Sequence, residues 1–166
     1  GISNYNAAET QKAIEVLNSL GTPLLIHQAK YSILVRWVED GLLDVLENNG
    51  VGCIAFSSLA QGILTNKYLN GIPPDSRAAS GRGNGALESN VLTEEILSKV
   101  HQLNDLAQQR GQTMAQMALG WILKDQRMTS LIIGASKPEQ VIDSIQCLKN
   151  YNFTSQEINT IENILK

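Results

Sequence analysis

Three short runs constrain the fold more than anything else in the chain: Leu24, Leu25 and Ile26; VGCIAF at 51–56; and Leu131, Ile132 and Ile133. Each is apolar at consecutive positions, so a strand built from it offers apolar side chains on both faces. The segments between them repeat with the period of a helix. Ala13, Ile14, Val16, Leu17 and Leu20 share one face, with Asn6 placed to cap and Gly21 to stop the run. Leu42, Leu43, Val45 and Leu46 mark a helix over 40–48, ended by Gly50. Behind Thr93, the residues Ile96, Leu97, Val100, Leu103, Leu106 and Ala107 form a long stripe that Gly111 stops. Thr113 opens another helix with Met114, Met117, Ala118, Trp121 and Ile122 on one face, and Pro138 starts one through Leu148. The last begins at Ser155 and carries Ile158, Ile161, Ile164 and Leu165. Such alternation predicts an α/β fold: four parallel strands near 1–3, 24–28, 51–56 and 131–135, right-handed crossovers, and two additional helices between the third and fourth strands.

The strands end in small polar groups: Gln28, then Ser57 and Ser58, then Gly134, Ala135 and Ser136. In parallel α/β folds the ligand lies beyond the carboxyl ends of the strands, so these ends are the candidate functional rim. The third strand runs on into GCIAFSSLAQGILTNKYLNG, and then into a Gly-, Pro-, Asn- and Ser-rich segment over 72–90. Loops that long are uncommon inside a compact domain and are often functional. At 166 residues the chain has the length of one domain, and no run approaches the roughly 20 apolar residues of a membrane span. The formal charge of −3 argues against a broad nucleic-acid footprint, so any phosphate site must be local. Cys53 and Cys147 sit in apolar stretches without metal-ligand spacing, and read as buried thiols in a reducing compartment. The expected location is cytoplasmic.

Four ordered motifs carry a resemblance. GISNYN at the start, IHQAKYSIL, FSSLAQGILTNKY with IPPDSRA, and IIGASKPEQV resemble the aldo-keto reductases. The likeness is greatest to the branch containing potassium-channel β-subunits and bacterial glyceraldehyde-phosphate-type reductases. It covers essentially all of residues 1–166, and it implies a single partial domain: the second half of a (β/α)8 TIM barrel, with NADP(H) bound at the carboxyl-terminal rim. The resemblance implies that Ser3, Asn4 and Gln28 hold the nicotinamide carboxamide, and that Phe56 supplies a flat apolar platform under the ring. Taken alone, Ser3 and Asn4 read as a turn and helix cap. The diphosphate region falls to Ser57, Ser58, Leu59, Ala60, Gln61 and Lys67, whose small side chains let backbone N–H groups approach. Asp75, Ser76 and Arg77 fall where the family's loop folds over the cofactor, with Arg77 either a phosphate contact or a solvated arginine. Gly134, Ser136 and Lys137 precede a helix N-terminus that suits the 2′-phosphate of NADPH, while Gln140, Asp143 and Ser144 lie further along, toward ribose and adenine. Ser144 stands where many members have Asn, and Ser-Lys-Pro-Glu is also simply a good helix start.

In that family a tyrosine acts as general acid beside a lysine, an aspartate and a histidine, all on the first four strands. None of Tyr5, Tyr31, Tyr68 and Tyr151 falls in such a motif, so no catalytic residue is assigned. His27 reads as a packed or hydrogen-bonded histidine and His101 as a solvent-facing one. Trp37 falls where family members line the substrate pocket, and Trp121 in the core. The function implied is the cofactor-binding half of a reductase that, when complete, converts aldehydes or ketones to alcohols. Two alternatives remain: a non-catalytic NADP(H)-binding or interaction module related to channel β-subunits, and a half-barrel rearranged toward a flavodoxin-like open sheet. The expected partners are a small carbonyl compound and no nucleic acid or membrane. The open edges of a half-barrel are expected to be met by a homodimer, or else covered by the terminal helix.

Overall fold

The structure, a computed structural model, describes residues 1–71, 73 and 92–166. Four parallel strands, β1 (Ile2–Ser3), β2 (Ile26–Lys30), β3 (Gly52–Phe56) and β4 (Ser130–Leu131), are ordered β1-β2-β3-β4 in one sheet. The crossovers contain α1 (Ala7–Ser19), α2 (Leu42–Asn48), and the pair α3 (Glu94–Gln109) and α4 (Met114–Leu123). After β4 come α5 (Pro138–Ile145) and α6 (Ser155–Leu165). Each strand therefore lies beside its predecessor in sequence, which is how a barrel winds. A flavodoxin-like sheet reverses its order at a switch point, so the sequential order corrects that alternative.

Helix starts follow the local code. Asn6, Thr113 and Thr154 each accept from the backbone N–H of the third helical residue, whose side chain accepts from the cap's N–H in return. Gly41, at φ +81°, begins α2 at Leu42, after a 3-10 turn over Trp37–Glu39. At its far end α5 tightens into a 3-10 turn, Gln146–Lys149, rather than remaining α-helical through Leu148.

Strand register decides which side chains meet the helices. His27 pairs with Cys53 and Ala29 with Ala55, and all four are fully buried against the helical layer. The opposite face carries Ser3, Gln28 and Ile54 in one row and Lys30 and Phe56 in the next, none of them fully buried. Apolar runs thus do not mean burial on both faces within this chain. Ile132 remains 43% exposed and Leu25 78% exposed. β2 begins two residues later than the apolar run and extends to Lys30, because pairing with β3, rather than hydropathy, defines its ends. β4 is shorter than expected, with one further bond from Ile132 N–H to the Ala55 carbonyl at 2.7 Å.

The terminal helix does not cover the open face, which corrects that expectation. α6 packs on α3 in the helical layer, where Ile161 is buried and Lys99 Nζ donates to the Leu165 carbonyl at 3.3 Å. Arg36 binds it to the loop after β2: its guanidinium donates to Glu39 and Glu162, each at 2.7 Å, and lies 5.0 Å from the Trp121 ring centroid. Cys53 and Cys147 are buried and unpaired, and no helix among the described residues is long and apolar enough to cross a membrane.

Candidate functional site

At the carboxyl end of β1 the chain turns through Asn4, a non-glycine residue at φ +58°. Its N–H donates to the Gln28 carbonyl at 3.0 Å, and its Oδ1 accepts the Lys30 N–H at 2.9 Å. The side chain thereby continues the β1–β2 ladder beyond the strand and fixes the rim on that side. Ser3 and Gln28 are register partners on the open face, so Ser3, Asn4 and Gln28 are brought together. Phe56 lies one strand over, paired with Lys30 and half buried.

The turn after Phe56 is the most strained segment described. Ser57, Ala60 and Gln61 hold φ values of 55°, 47° and 61°, followed by Gly62 at 97°. Left-handed backbone costs a non-glycine residue about 1–2 kcal/mol and persists only where its surroundings impose it. Here buried Ile63, Leu64 and Tyr68 anchor the turn, and Leu64 N–H donates back to the Leu59 carbonyl at 3.1 Å. Within it, Ser58 is 2% exposed, and its hydroxyl has no partner among the described residues. The Ser58 and Leu59 amides likewise make no main-chain hydrogen bond among the described residues. Lys67 is exposed nearby, its ammonium 5.8 Å from the Tyr68 ring centroid. Asp75, Ser76 and Arg77 lie outside the described residues.

At β4 the chain passes Gly134, where a Cβ would meet only open space. Ser136, Lys137 and Gln140 are exposed, and Lys137 is the N-cap of α5 without a side-chain capping bond. Gln140 folds back so that its Oε1 accepts the Ser136 N–H at 2.8 Å. Asp143 and Ser144 turn inward instead. The Asp143 carboxylate accepts Gln116 Nε2 at 2.6 Å and the Thr113 hydroxyl at 3.2 Å, and the buried Ser144 hydroxyl donates to the Gln140 carbonyl at 2.7 Å. The structure therefore assembles Ser3, Asn4, Gln28 and the strained turn from Phe56 on one rim, while the Asp143 and Ser144 side chains hydrogen-bond to Thr113, Gln116 and the Gln140 carbonyl.

Neither His27 nor Tyr31 is a free proton donor to the rim. Fully buried His27 faces the Tyr5 carbonyl through Nε2 at 3.1 Å, and burial holds its pKa below the ordinary value. Tyr31 is buried and donates to Glu39 Oε1 at 2.7 Å; burial first, and then that bond, push its hydroxyl above the ordinary tyrosine range. No group of three His, Cys, Asp or Glu suited to a metal occurs among the described residues. Trp37 does reach the rim, donating from Nε1 to the Lys30 carbonyl at 2.9 Å. With Asn4, Asn6, Glu9 and Lys30 it lines a shallow hollow. Lys30 escaped the sequence reading, although it stands two residues beyond Gln28 and so shares its strand face.

The aldo/keto reductase family model matches residues 1–166. Proteins named L-glyceraldehyde 3-phosphate reductase in Escherichia coli O157:H7 and Escherichia coli strain K12 are each 54% identical to it over 164 residues. Those alignments cover 98% of this chain and 47% of each relative, so the chain spans about half their length. Among solved structures, a glycerol dehydrogenase from Gluconobacter oxydans superposes with a TM-score of 0.75 at 22% identity, covering 99% of this chain and 48% of that one. At that identity the superposition speaks for the fold alone: parallel strands with crossover helices, half of a TIM barrel. With the family model matched from the first described strand to the last helix, the chain belongs to the aldo/keto reductase family.

Proposed function

We propose that this chain is the cofactor-binding half of an NADP(H)-dependent reductase that, as a complete barrel, converts small aldehydes or ketones to alcohols. The observation that carries this reading is the strained turn after β3. Three left-handed non-glycine residues occur within five positions, beside two amides without a main-chain partner and a buried hydroxyl without any partner among the described residues. These groups fit a dinucleotide: small side chains and backbone N–H groups suit a diphosphate, and Phe56 is a platform for a planar ring. Bound there, NADP(H) supplies the hydride. Asn4 and Gln28, fixed by the β1–β2 ladder, orient the carboxamide and hence the face the ring presents. Lys137 at the start of α5 takes the 2′-phosphate, so NADPH is preferred over NADH. The two buried unpaired cysteines suit a cytoplasmic protein.

Hydride transfer to a carbonyl leaves an alkoxide, and a positioned acid typically contributes about 10²–10⁴-fold. Tyr31 and His27 are engaged elsewhere, so the proton must come from residues outside this set. The chain alone is therefore expected to be inert toward carbonyls. The test fuses it to the amino-terminal half of the Escherichia coli L-glyceraldehyde 3-phosphate reductase and follows NADPH oxidation by methylglyoxal. Turnover by the fusion, absent from the chain alone, supports the reading. Lys137→Ala should reduce the preference for NADPH over NADH by roughly 1 kcal/mol, the scale of a charge-assisted contact. Cofactor binding without turnover in the fusion would favour a non-catalytic module, and no dinucleotide binding at all would refute both.

A further inference from the structure

The turn that carries Asn4 to the rim is held from the core by a buried histidine. The carbonyl of Tyr5, the next residue, accepts His27 Nε2 at 3.1 Å and the Thr10 hydroxyl at 3.4 Å, and both donors are fully buried. A carbonyl only accepts, so Nε2 carries a proton. Nδ1 is buried without a partner among the described residues, and burial keeps the ring neutral at pH 7. Alternation along β2 puts His27 on the helical face and Gln28 on the open one. Two neighbouring residues therefore fix one turn from two sides: the Gln28 carbonyl accepts the Asn4 N–H at 3.0 Å, and His27 secures Tyr5 behind it.

We propose that His27 is a positioning residue for the cofactor: neutral, it holds the Asn4 turn in the shape that meets the nicotinamide carboxamide, and protonated, it releases that turn, so that dinucleotide affinity falls in mild acid. This rests on the reading of the rim as the dinucleotide site. Asn4 Oδ1 is committed to the Lys30 N–H, so Nδ2 is the group that Asn4 offers a ligand. The register partners of His27 are Ile2 on β1 and Cys53 on β3, whose thiol is pushed up to about 11 by burial and stays neutral. Glu9, Lys12 and Glu15 of α1, the helix that supplies Thr10, and Asp44 and Glu47 of α2, packed on α1 and β3, are exposed. A second proton, at Nδ1, therefore sets a cation and a donor in the core with no anion or acceptor among the described residues to meet them. β2 is paired on both sides, whereas Asn4, Tyr5 and Asn6 are exposed and Asn4 is left-handed, so the turn is the part that gives way.

The first measurement uses the chain itself. Nitrogen NMR spectra in a titration from neutral pH into mild acid follow the His27 ring together with the Asn4 backbone and side-chain amides. The ring should hold its proton on Nε2 at neutral pH, and the Asn4 signals should move with its titration, which lies below the ordinary histidine value of about 6.5. In His27→Gln, whose amide still donates to the Tyr5 carbonyl but does not titrate, the Asn4 signals should stay fixed. Asn4 signals that ignore the ring, or that move equally in His27→Gln, overturn the proposal. The second measurement uses the completed barrel. On acidification its NADPH affinity should fall about threefold to tenfold further than that of the His27→Gln barrel, the worth of one hydrogen bond. The two barrels share every other titration, the cofactor's own phosphate included. His27→Leu should show the same loss already at neutral pH, in KM for NADPH and not in kcat at saturation. An equal pH dependence in parent and His27→Gln overturns the inference alone, whereas a parent barrel that binds no NADPH overturns the reading beneath it.

Discussion

Replacing Asp143 with alanine asks whether a residue one turn into a rim helix serves the rim or the fold. Its carboxylate accepts Gln116 Nε2 at 2.6 Å and the Thr113 hydroxyl at 3.2 Å. Gln116 in turn uses its Oε1 to accept the Thr113 N–H at 3.2 Å, which closes the cap of α4. Asp143 thereby sets the orientation of the Gln116 amide, and its loss frees both the α4–α5 contact and the cap. A hydrogen bond to a buried charged group contributes about 1.5–3 kcal/mol, but Asp143 is only half buried. Solvent screening reduces the expected total to about 1–2 kcal/mol. For a chain of this size that lowers Tm by roughly 3–6 °C. Asp143→Asn keeps an acceptor for Gln116 Nε2 and should lose less than half as much. Circular dichroism melts of the two variants measure both. An Asp143→Ala variant that melts with the parent, while the completed barrel loses NADPH affinity, would refute the packing argument and return Asp143 to the adenosine end.

The Arg110 side chain is 4% exposed, pairs with Glu157 at 2.6 Å, donates to the Asn150 and Asn152 carbonyls at 3.0 Å each, and stacks on Phe153 at 3.8 Å. Arg110→Met should cost about 3–5 kcal/mol in urea titrations, and a loss below about 1 kcal/mol would contradict that account. His27 has its folded pKa depressed by burial despite its bond to the Tyr5 carbonyl, so its stabilisation is complete above the unfolded value of about 6.5 and is lost as pH falls below it. The hydrogen bond from Arg127 depresses Asp125 against the effect of burial, adding a second loss once pH drops below about 3.9. Tm should thus decline from pH 7 to 5 and again below 4, and His27→Gln should flatten the first decline; a flat parent profile would refute the assignment. The open sheet face bearing Ile26, Ile54 and Phe56 should draw two copies together, so sedimentation should find a species near twice 18.1 kDa, and a monomer at tens of micromolar would exclude this.

What was legible in the sequence was what local chemistry decides. The helix starts at Asn6 and Thr113 depend on residues three apart, and the alternation of strand and helix depends on periodicity within each segment. The ends of β2 and β4 were less legible, because a strand ends where its neighbour stops pairing. Which sheet face stays open was not legible for a related reason: an apolar run says that a face should be covered, not that this chain covers it. Helical spacing placed Asp143 one turn along α5 but could not show that its carboxylate turns to α4 rather than to the rim. The left-handed backbone at Asn4 and in the Ser57 turn was not legible, since such a conformation at a non-glycine residue is imposed by tertiary contacts. Lys30 was within reach of a simple parity argument from Gln28, but only register with Phe56 gives that parity a chemical meaning.

The central claim, that a nicotinamide dinucleotide lies across this rim from the turn after β3 to the start of α5, is tested most directly by amide hydrogen exchange. The fused, complete barrel would be compared with and without saturating NADPH. The account predicts strong protection of two separate segments of this chain, over 56–62 and over 134–140, with the outer helices α3 and α6 unchanged. NADPH binding that leaves both segments exchanging as before would contradict it.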